Sequence, residues 1–223
     1  IAMNSVTFDL NSQLIVSSVK LSGAPLAFVQ NANKELVVTL PSTLAVGNSA
    51  TVVIDYSGVP ASGEQAFTQT THGGTPIIFT LSEPFGARDW WPCKQDLKDK
   101  VDSIDVYITC PTPYIGVSNG KLITSVTSLG NTTRHFKHGY PIPAYLISLN
   151  VSNYDIYNFQ AGLGTTERPF FPINNYLYPE KNTAAVRFAI DKTTPIMNVF
   201  EEKFGLYPYR SEQYGHVEFS WGG

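Results

Sequence analysis

Ser103-Ile-Asp-Val-Tyr-Ile-Thr-Cys110 sets Ile104, Val106 and Ile108 against Asp105, Tyr107 and Thr109. A strict period of two is the mark of a strand with one face in a core and the other in water. Upstream, Val6-Thr-Phe-Asp-Leu10, Glu35-Leu-Val-Val-Thr-Leu40 and Ser49-Ala-Thr-Val-Val-Ile-Asp-Tyr56 carry the same period, and Leu14-Ile-Val-Ser-Ser-Val19 carries it loosely. Turn-forming pairs separate them: Asn11-Ser12, Ser22-Gly23, Asn31-Ala-Asn33 and Gly47-Asn48. Residues 57–76 are rich in Gly, Ser, Thr and Pro and read as a long loop, and Ile77-Ile-Phe-Thr-Leu81 as a strand. Downstream, Ser118-Asn-Gly120 is a turn, and Lys121–Val126, Thr132–His138 and Ala144–Asn153 read as further strands. Short strands at this spacing, with few helical stretches, predict a mainly β fold, an antiparallel sandwich or saddle.

The character changes near residue 181. Ala184–Ile190 reads as one more strand. Asp191-Lys-Thr-Thr194 then offers helix caps, with Pro195 suited to the first helical position. Ile196, Val199, Phe200 and Phe204 recur at helical spacing, and Gly205 suits the stop. His216-Val-Glu-Phe219 reads as a short strand before Trp221-Gly-Gly223.

Composition narrows the function. Of 223 residues, 15% are charged, while 12 Tyr, 13 Phe and 3 Trp supply material for an ordered core. A net charge of −3 offers nothing to neutralise a run of phosphates, so nucleic acid is excluded as a partner. No apolar run approaches the ~20 residues of a membrane helix. The two cysteines, Cys93 and Cys110, read as buried thiols. Abundant Ser, Thr, Asn and Gly with sparse charge suit an exported protein, periplasmic or secreted. Ile1 is not a natural start, and the chain is expected to be a processed or truncated piece.

Five segments, in order along the chain, resemble the aminopeptidase N family of zinc metallopeptidases, the gluzincins. They are Thr80-Leu-Ser-Glu-Pro-Phe-Gly-Ala-Arg-Asp-Trp-Trp-Pro-Cys93, Ser118-Asn-Gly120, Pro141-Ile-Pro-Ala-Tyr-Leu-Ile147, Phe200-Glu-Glu-Lys-Phe-Gly-Leu-Tyr-Pro208 and Gly222-Gly223. The family pattern P-C-x-D-x-P is replaced by Pro92-Cys-Lys-Gln-Asp96-Leu-Lys-Asp-Lys100, which loosens any role for Asp96 and resembles a divergent exported bacterial branch. The resemblance implies two domains. Residues 1–181 would form a saddle-like β-sandwich lacking its first strands. Residues 182–223 would hold the first strands and one helix of a truncated thermolysin-like catalytic domain.

It also implies a division of labour. Family members hold zinc with H-E-x-x-H and a distant Glu, and cut one residue from a peptide's free N-terminus. No H-E-x-x-H occurs here, so no catalytic or metal-binding residue is expected in this chain, and zinc belongs to the full-length parent. His135 and His138 lie three apart on a strand and point to opposite faces, so they cannot share a metal. Glu83 matches the family residue that binds the substrate's α-ammonium, a task suited to a carboxylate. Read without its surroundings, it is an exposed charge at a strand end. Gly222 and Gly223 match glycines whose backbone lies along the substrate, which the lack of a Cβ permits. The expected partners are a peptide with a free N-terminus and the remainder of the catalytic domain. Arg88 is expected to pair with Asp89, Asp96 or Asp99, Trp90 and Trp91 to fill a core or interface, and Tyr145 to be core. Two rival readings stay open: a β-sandwich module binding carbohydrate or protein, and a peptidase-fold scaffold without catalysis. The next ~100 residues of a parent separate these readings, because H-E-x-x-H is a motif with a mechanism.

Overall fold

The computed structural model describes residues 2–61 and 66–220. In chain order the strands are β1 Met3–Asp9, β2 Ile15–Leu21, β3 Ala24–Pro25, β4 Phe28–Asn31, β5 Glu35–Leu44, β6 Val52–Ser57, β7 Thr68–His72, β8 Thr75–Phe79 and β9 Lys100–Val101. They continue as β10 Ile104–Pro111, β11 Ile115–Ser118, β12 Lys121–Ser128, β13 Asn131–His138, β14 Ile142–Pro143, β15 Leu149–Ser152, β16 Asp155–Ala161 and β17 Phe171–Leu177. Two helices follow, α1 Ala184–Ile190 and α2 Thr193–Phe204, and then β18 Tyr214–Val217. The fold is mainly β, with antiparallel pairing predominant among the described residues and one parallel pairing, β17 with β18.

The chain divides into two compact units. The first comprises Ile1–Thr68, Thr80–Val101 and Ile142–Ile147. Its sheets run β1-β5-β4, β3-β2-β6 and β14-β9. Leu36 and Val38 of β5 and Val16 and Val19 of β2 meet Leu10 and Leu14 in one core. Fully burying each such side chain stabilises by roughly 1.5–3 kcal/mol. The register of β2 against β6 slips between Val16 and Ser18. That bulge adds a residue and brings Val19 to the same core as Val16, which is why the sequence of β2 alternates only loosely.

The second unit comprises Gln69–Phe79, Asp102–Pro141 and Ser148–Gly223. Its sheets run β10-β13-β12, β11-β15-β8-β7 and β16-β17-β18. Ile77, Phe79, Val117, Phe136, Tyr154, Tyr176 and Tyr178 form one core. Ala161, Phe171, Ile173 and Met197 form another, under α2. Arg134 is buried, donating from Nη1 to Gly116 O at 3.0 Å with its guanidinium over Phe136 and Tyr176. Residue 120 must be glycine: its φ is +81° and a Cβ would stand 2.2 Å from Lys137 O.

Five expectations need correction. Ala184–Ile190 is helical: Thr183 caps it, its hydroxyl accepting from Val186 N at 3.3 Å. A seven-residue apolar run does not reveal its own period, and the cap decides it. Part of the expected loop 57–76 is strand β7, which joins β8 through Gly73-Gly74, both at positive φ. Of the stretch 144–153, Ala144–Leu146 is a 3-10 turn, so the half-buried Tyr145 lies on a turn and not on a strand. The last strand begins two residues earlier than read, at Tyr214, and α2 begins at Thr193 with Pro195 in its third position.

Candidate functional site

The segment following β8 belongs to the first unit and is held at many points. Leu81 N donates to Ala66 O and Gly86 N to Ser82 O, at 3.3 and 2.8 Å. A 3-10 turn over Ala87–Asp89 follows. At Gly86 a Cβ would come within 2.3 Å of Ala66 Cβ, so the glycine lets the turn close on the neighbouring chain. Trp90 Nε1 donates to Ser82 Oγ at 2.9 Å, and Trp90 O accepts from Tyr56 OH at 3.1 Å.

Further along, Cys93 and Asp9 exchange backbone hydrogen bonds of 2.8 and 3.1 Å, so this segment joins the end of β1. Asp9 Oδ2 accepts from Gln95 N at 2.8 Å, and Gln95 Oε1 accepts from Arg88 N at 3.2 Å. Asn11 completes the clamp. Its backbone N donates to Arg88 O, and its Nδ2 donates to Asp89 Oδ1 at 2.7 Å. Asp89 is only 3% exposed, and Lys34 Nζ lies 3.8 Å from it.

Glu83 stands out from this support. It is exposed, and no described residue hydrogen-bonds or ion-pairs with its carboxylate. Phe85, two residues on, is exposed as well. The arrangement can therefore offer a free carboxylate on a rigid turn to a cation arriving from solvent, without first breaking an internal bond.

The neighbouring candidates take structural places. Arg88 meets none of the three expected carboxylates: Asp89 is bonded to Asn11, Asp96 to the backbone N–H groups of Lys98 and Asp99, and Asp99 to Lys94. Those two backbone bonds hold the Asp96 carboxyl below the usual carboxylate range, as for a turn-closing aspartate. Trp91 packs against Ala87, Cys93 and Ala144. Both cysteines are free and buried, and burial pushes the Cys93 thiol up to about 12.

Gly222 and Gly223 lie outside the described residues. The strand that leads to them is well anchored in the second unit. Glu218 N donates to Tyr176 O, Tyr154 OH donates to Glu218 O at 2.8 Å, and Glu218 Oε2 accepts from Tyr178 N.

The histidine donors do not converge as zinc ligands must. His72 bonds Glu180 and Ser152, His135 bonds Asp105, His138 bonds Glu212, and His216 bonds Asn175. Along β13, residues 132, 134 and 136 are buried while 133, 135 and 137 are less so, which puts His135 and His138 on opposite faces. No group of three or more potential ligands comes together among the described residues, so they do not fit a zinc centre. No helix among them is long and apolar enough to cross a membrane.

The sequence reading missed the residues that support Glu83. Asn11 reads as part of a turn although its side chain bonds Asp89, 78 residues on, and Asp9 and Gln95 carry no signal because they lie 86 residues apart.

Comparison with known proteins points one way. The profile of the family described as Peptidase M1 N-terminal domain matches residues 1–146. Leucine aminopeptidase 2 of the yeast Vanderwaltozyma polyspora is 27% identical over 173 residues, 65% of this chain and 25% of that protein. An M1 zinc metallopeptidase from Deinococcus radiodurans superposes with a TM-score of 0.76 at 24% identity, over 97% of this chain and 48% of that one. A two-domain M1 zinc metallopeptidase mutant bound to L-tryptophan gives 0.78 at 24%, with 97% and 49% covered. The chain thus spans about a quarter of the curated relative and about half of these structures.

Proposed function

From a chain that belongs to the peptidase M1 N-terminal domain family, we propose that it forms the substrate-anchoring front of a zinc aminopeptidase that removes N-terminal residues from peptides. The observation that carries this reading is Glu83: a family motif places a carboxylate there, and it stands free of every described neighbour while the loop under it is fixed. A substrate's α-ammonium would donate a charge-assisted hydrogen bond to it, which sets the register of the peptide. Gly222 and Gly223 would lie beside the bound backbone. Residues 1–181 are read as the sandwich domain and 182–223 as the start of the catalytic domain. Zinc would be bound by the remainder of that domain in the parent. Taken alone, this chain is inactive. Its composition supports an exported protein, periplasmic or secreted.

The test uses the parent enzyme. Glu83→Gln keeps shape and removes charge. A charged hydrogen bond contributes about 1.5–3 kcal/mol, so KM for substrates with a free amine should rise by about tenfold or more. Amine-acetylated peptides should bind wild type and variant alike. Unchanged KM and kcat for free-amine peptides would remove Glu83 from the site. The isolated chain should release no amino acid from an aminoacyl reporter; release that survives purification overturns the claim of inactivity. A parent with no activity at all favours the non-catalytic scaffold.

A further inference from the structure

The second unit holds a pocket of about 280 Å³. Its walls come from the end of β13, from β17 and from the turn between α2 and β18, and they include His138, Asn174, Tyr207, Tyr209, Glu212 and Gln213. None of these residues lies on the loop that bears Glu83.

Two hydrogen-bonded pairs set the polar chemistry of the pocket. In the first, Glu212 is fully engaged: its Oε1 accepts from Gly139 N at 2.7 Å, and its Oε2 faces His138 Nδ1 at 2.6 Å. A ring nitrogen facing a carboxylate must donate, so His138 has only Nε2 left for another partner. In the second pair, Asn174 Nδ2 donates to Gln213 Oε1, which leaves Asn174 Oδ1 as an acceptor and Gln213 Nε2 as a donor. Turning both amides over exchanges these roles and again leaves one donor and one acceptor. His138 Nε2 and the two spare amide atoms have no partner among the described residues, and none of them is sealed from solvent.

The pocket also selects against charge. Among the lining residues Glu212 is the one acid, and none is Lys or Arg. Both Glu212 oxygens are already bonded, so an ionic ligand would lose hydration and find no free counter-charge. The rest of the wall is aromatic. Tyr207 meets Tyr209 and Tyr214 edge to face at 5.7 and 6.0 Å, and the His138 ring lies 6.0 Å from that of Tyr209. Rings fixed in this way present apolar surface beside polar groups.

We propose that this pocket binds one neutral pyranose sugar. A hydroxyl both donates and accepts, so it serves His138 Nε2 in either protonation state of the ring. A neighbouring pair of hydroxyls meets the spare donor and acceptor of Asn174 and Gln213 together. The C–H face of the sugar rests on Tyr209, which is 41% exposed. The volume lies at the small end for ligand pockets and suits a single ring. A single peptide group can meet the amide pair but leaves His138 Nε2 without a partner.

The test is a saturation-transfer NMR titration of the full-length protein with methyl glucopyranoside, methyl galactopyranoside and methyl mannopyranoside. At least one should bind with a Kd of about 1–5 mM, the reach of a ligand of this size. Methoxytetrahydropyran, the same ring without its hydroxyls, should bind at least tenfold more weakly, and so should N-acetylglycine methylamide, a neutral peptide group. Gln213→Leu keeps the backbone oxygen that accepts from Tyr207 OH and should weaken the sugar about fivefold, the loss of one neutral hydrogen bond. Tyr209→Ala, at an exposed position, should weaken it by at least as much. Absence of sugar binding, equal binding of the ring without hydroxyls, tighter binding of the amide, or sugar binding indifferent to both substitutions each overturns the proposal. None of these readouts involves Glu83 or peptide cleavage, so their failure leaves the anchor reading to its own test.

Discussion

Replacing Asn11 with leucine tests the support beneath Glu83. The side chains have the same number of heavy atoms, so no cavity opens; the bond is lost, and the bulkier leucine adds some overpacking at this buried position. Wild-type Nδ2 donates at 2.7 Å to Asp89 Oδ1, both residues being almost fully buried. In the variant Asp89 keeps only the Lys34 ammonium 3.8 Å away, on a side chain that is 40% exposed. A hydrogen bond to a charged group contributes about 1.5–3 kcal/mol, and the exposed lysine screens little of the loss. The Asx bond from Gln13 N to Asn11 Oδ1, 3.1 Å, disappears as well. The sum is a destabilisation of about 2–3 kcal/mol. With an m-value near ~2 kcal/mol per M urea, the unfolding midpoint of the first unit should fall by about 1 M. Trp90 and Trp91 lie on the affected loop and make tryptophan fluorescence the local probe. Asp89→Asn can keep a hydrogen bond to Asn11 and should cost less. A loss below ~0.5 kcal/mol for Asn11→Leu, within the range of ordinary surface changes, would refute the reasoning, as would a larger loss for Asp89→Asn.

Other perturbations read other parts of the molecule. Phe136→Ala should cost about 3–5 kcal/mol in urea unfolding of the second unit, because the ring is fully buried in its core. Gly120→Ala forces a methyl onto Lys137 O at a positive φ, and its thermal midpoint should fall below that of Gly130→Ala, whose Cβ would meet no atom within 4 Å. Cys93, with its thiol pushed up to about 12, should resist iodoacetamide at pH 8 in the folded chain and react once urea unfolds it. Glu180 has its carboxyl lowered first by the bond to His72, so its stabilisation is present above the ordinary carboxylate range and is lost as pH falls below it. Thermal midpoints between pH ~6 and ~3 should fall less in His72→Gln than in wild type.

How much of this was legible follows from the range of each interaction. Strands such as β5 and β10 declare themselves because the period of two is written into neighbouring residues. The stop of α2 at Gly205 is equally local, with φ at +93°. The helix at Ala184–Ile190 was missed because its deciding feature, a cap from Thr183, competes with an apolar run that fits either period. Glu83 is proposed from a motif, and nothing near it in sequence tells that its carboxylate lacks a partner among the described residues. That depends on Asn11, Asp9 and Tyr56, which reach the loop from 34 to 86 residues away. The expected Arg88 pairings failed for the same reason: each aspartate had a better partner than its neighbour in sequence, whether Asn11, two backbone N–H groups or Lys94.

If Asn11 matters because it positions the loop that bears Glu83, its effect on the parent enzyme must pass through that carboxylate. Asn11→Leu should raise KM for free-amine peptides by less than Glu83→Gln does, since the loop loosens but the charge remains. The two substitutions combined should then raise KM no further than Glu83→Gln alone, because a misplaced anchor costs nothing once the anchor has lost its charge. A merely structural role predicts otherwise. It would lower the fraction of folded enzyme, and with it apparent kcat, by the same factor in both backgrounds, with KM untouched. The double-variant cycle on KM, with active enzyme counted by a tight inhibitor, separates the two. Additive changes in KM would mean that Asn11 acts on substrate by some route other than Glu83.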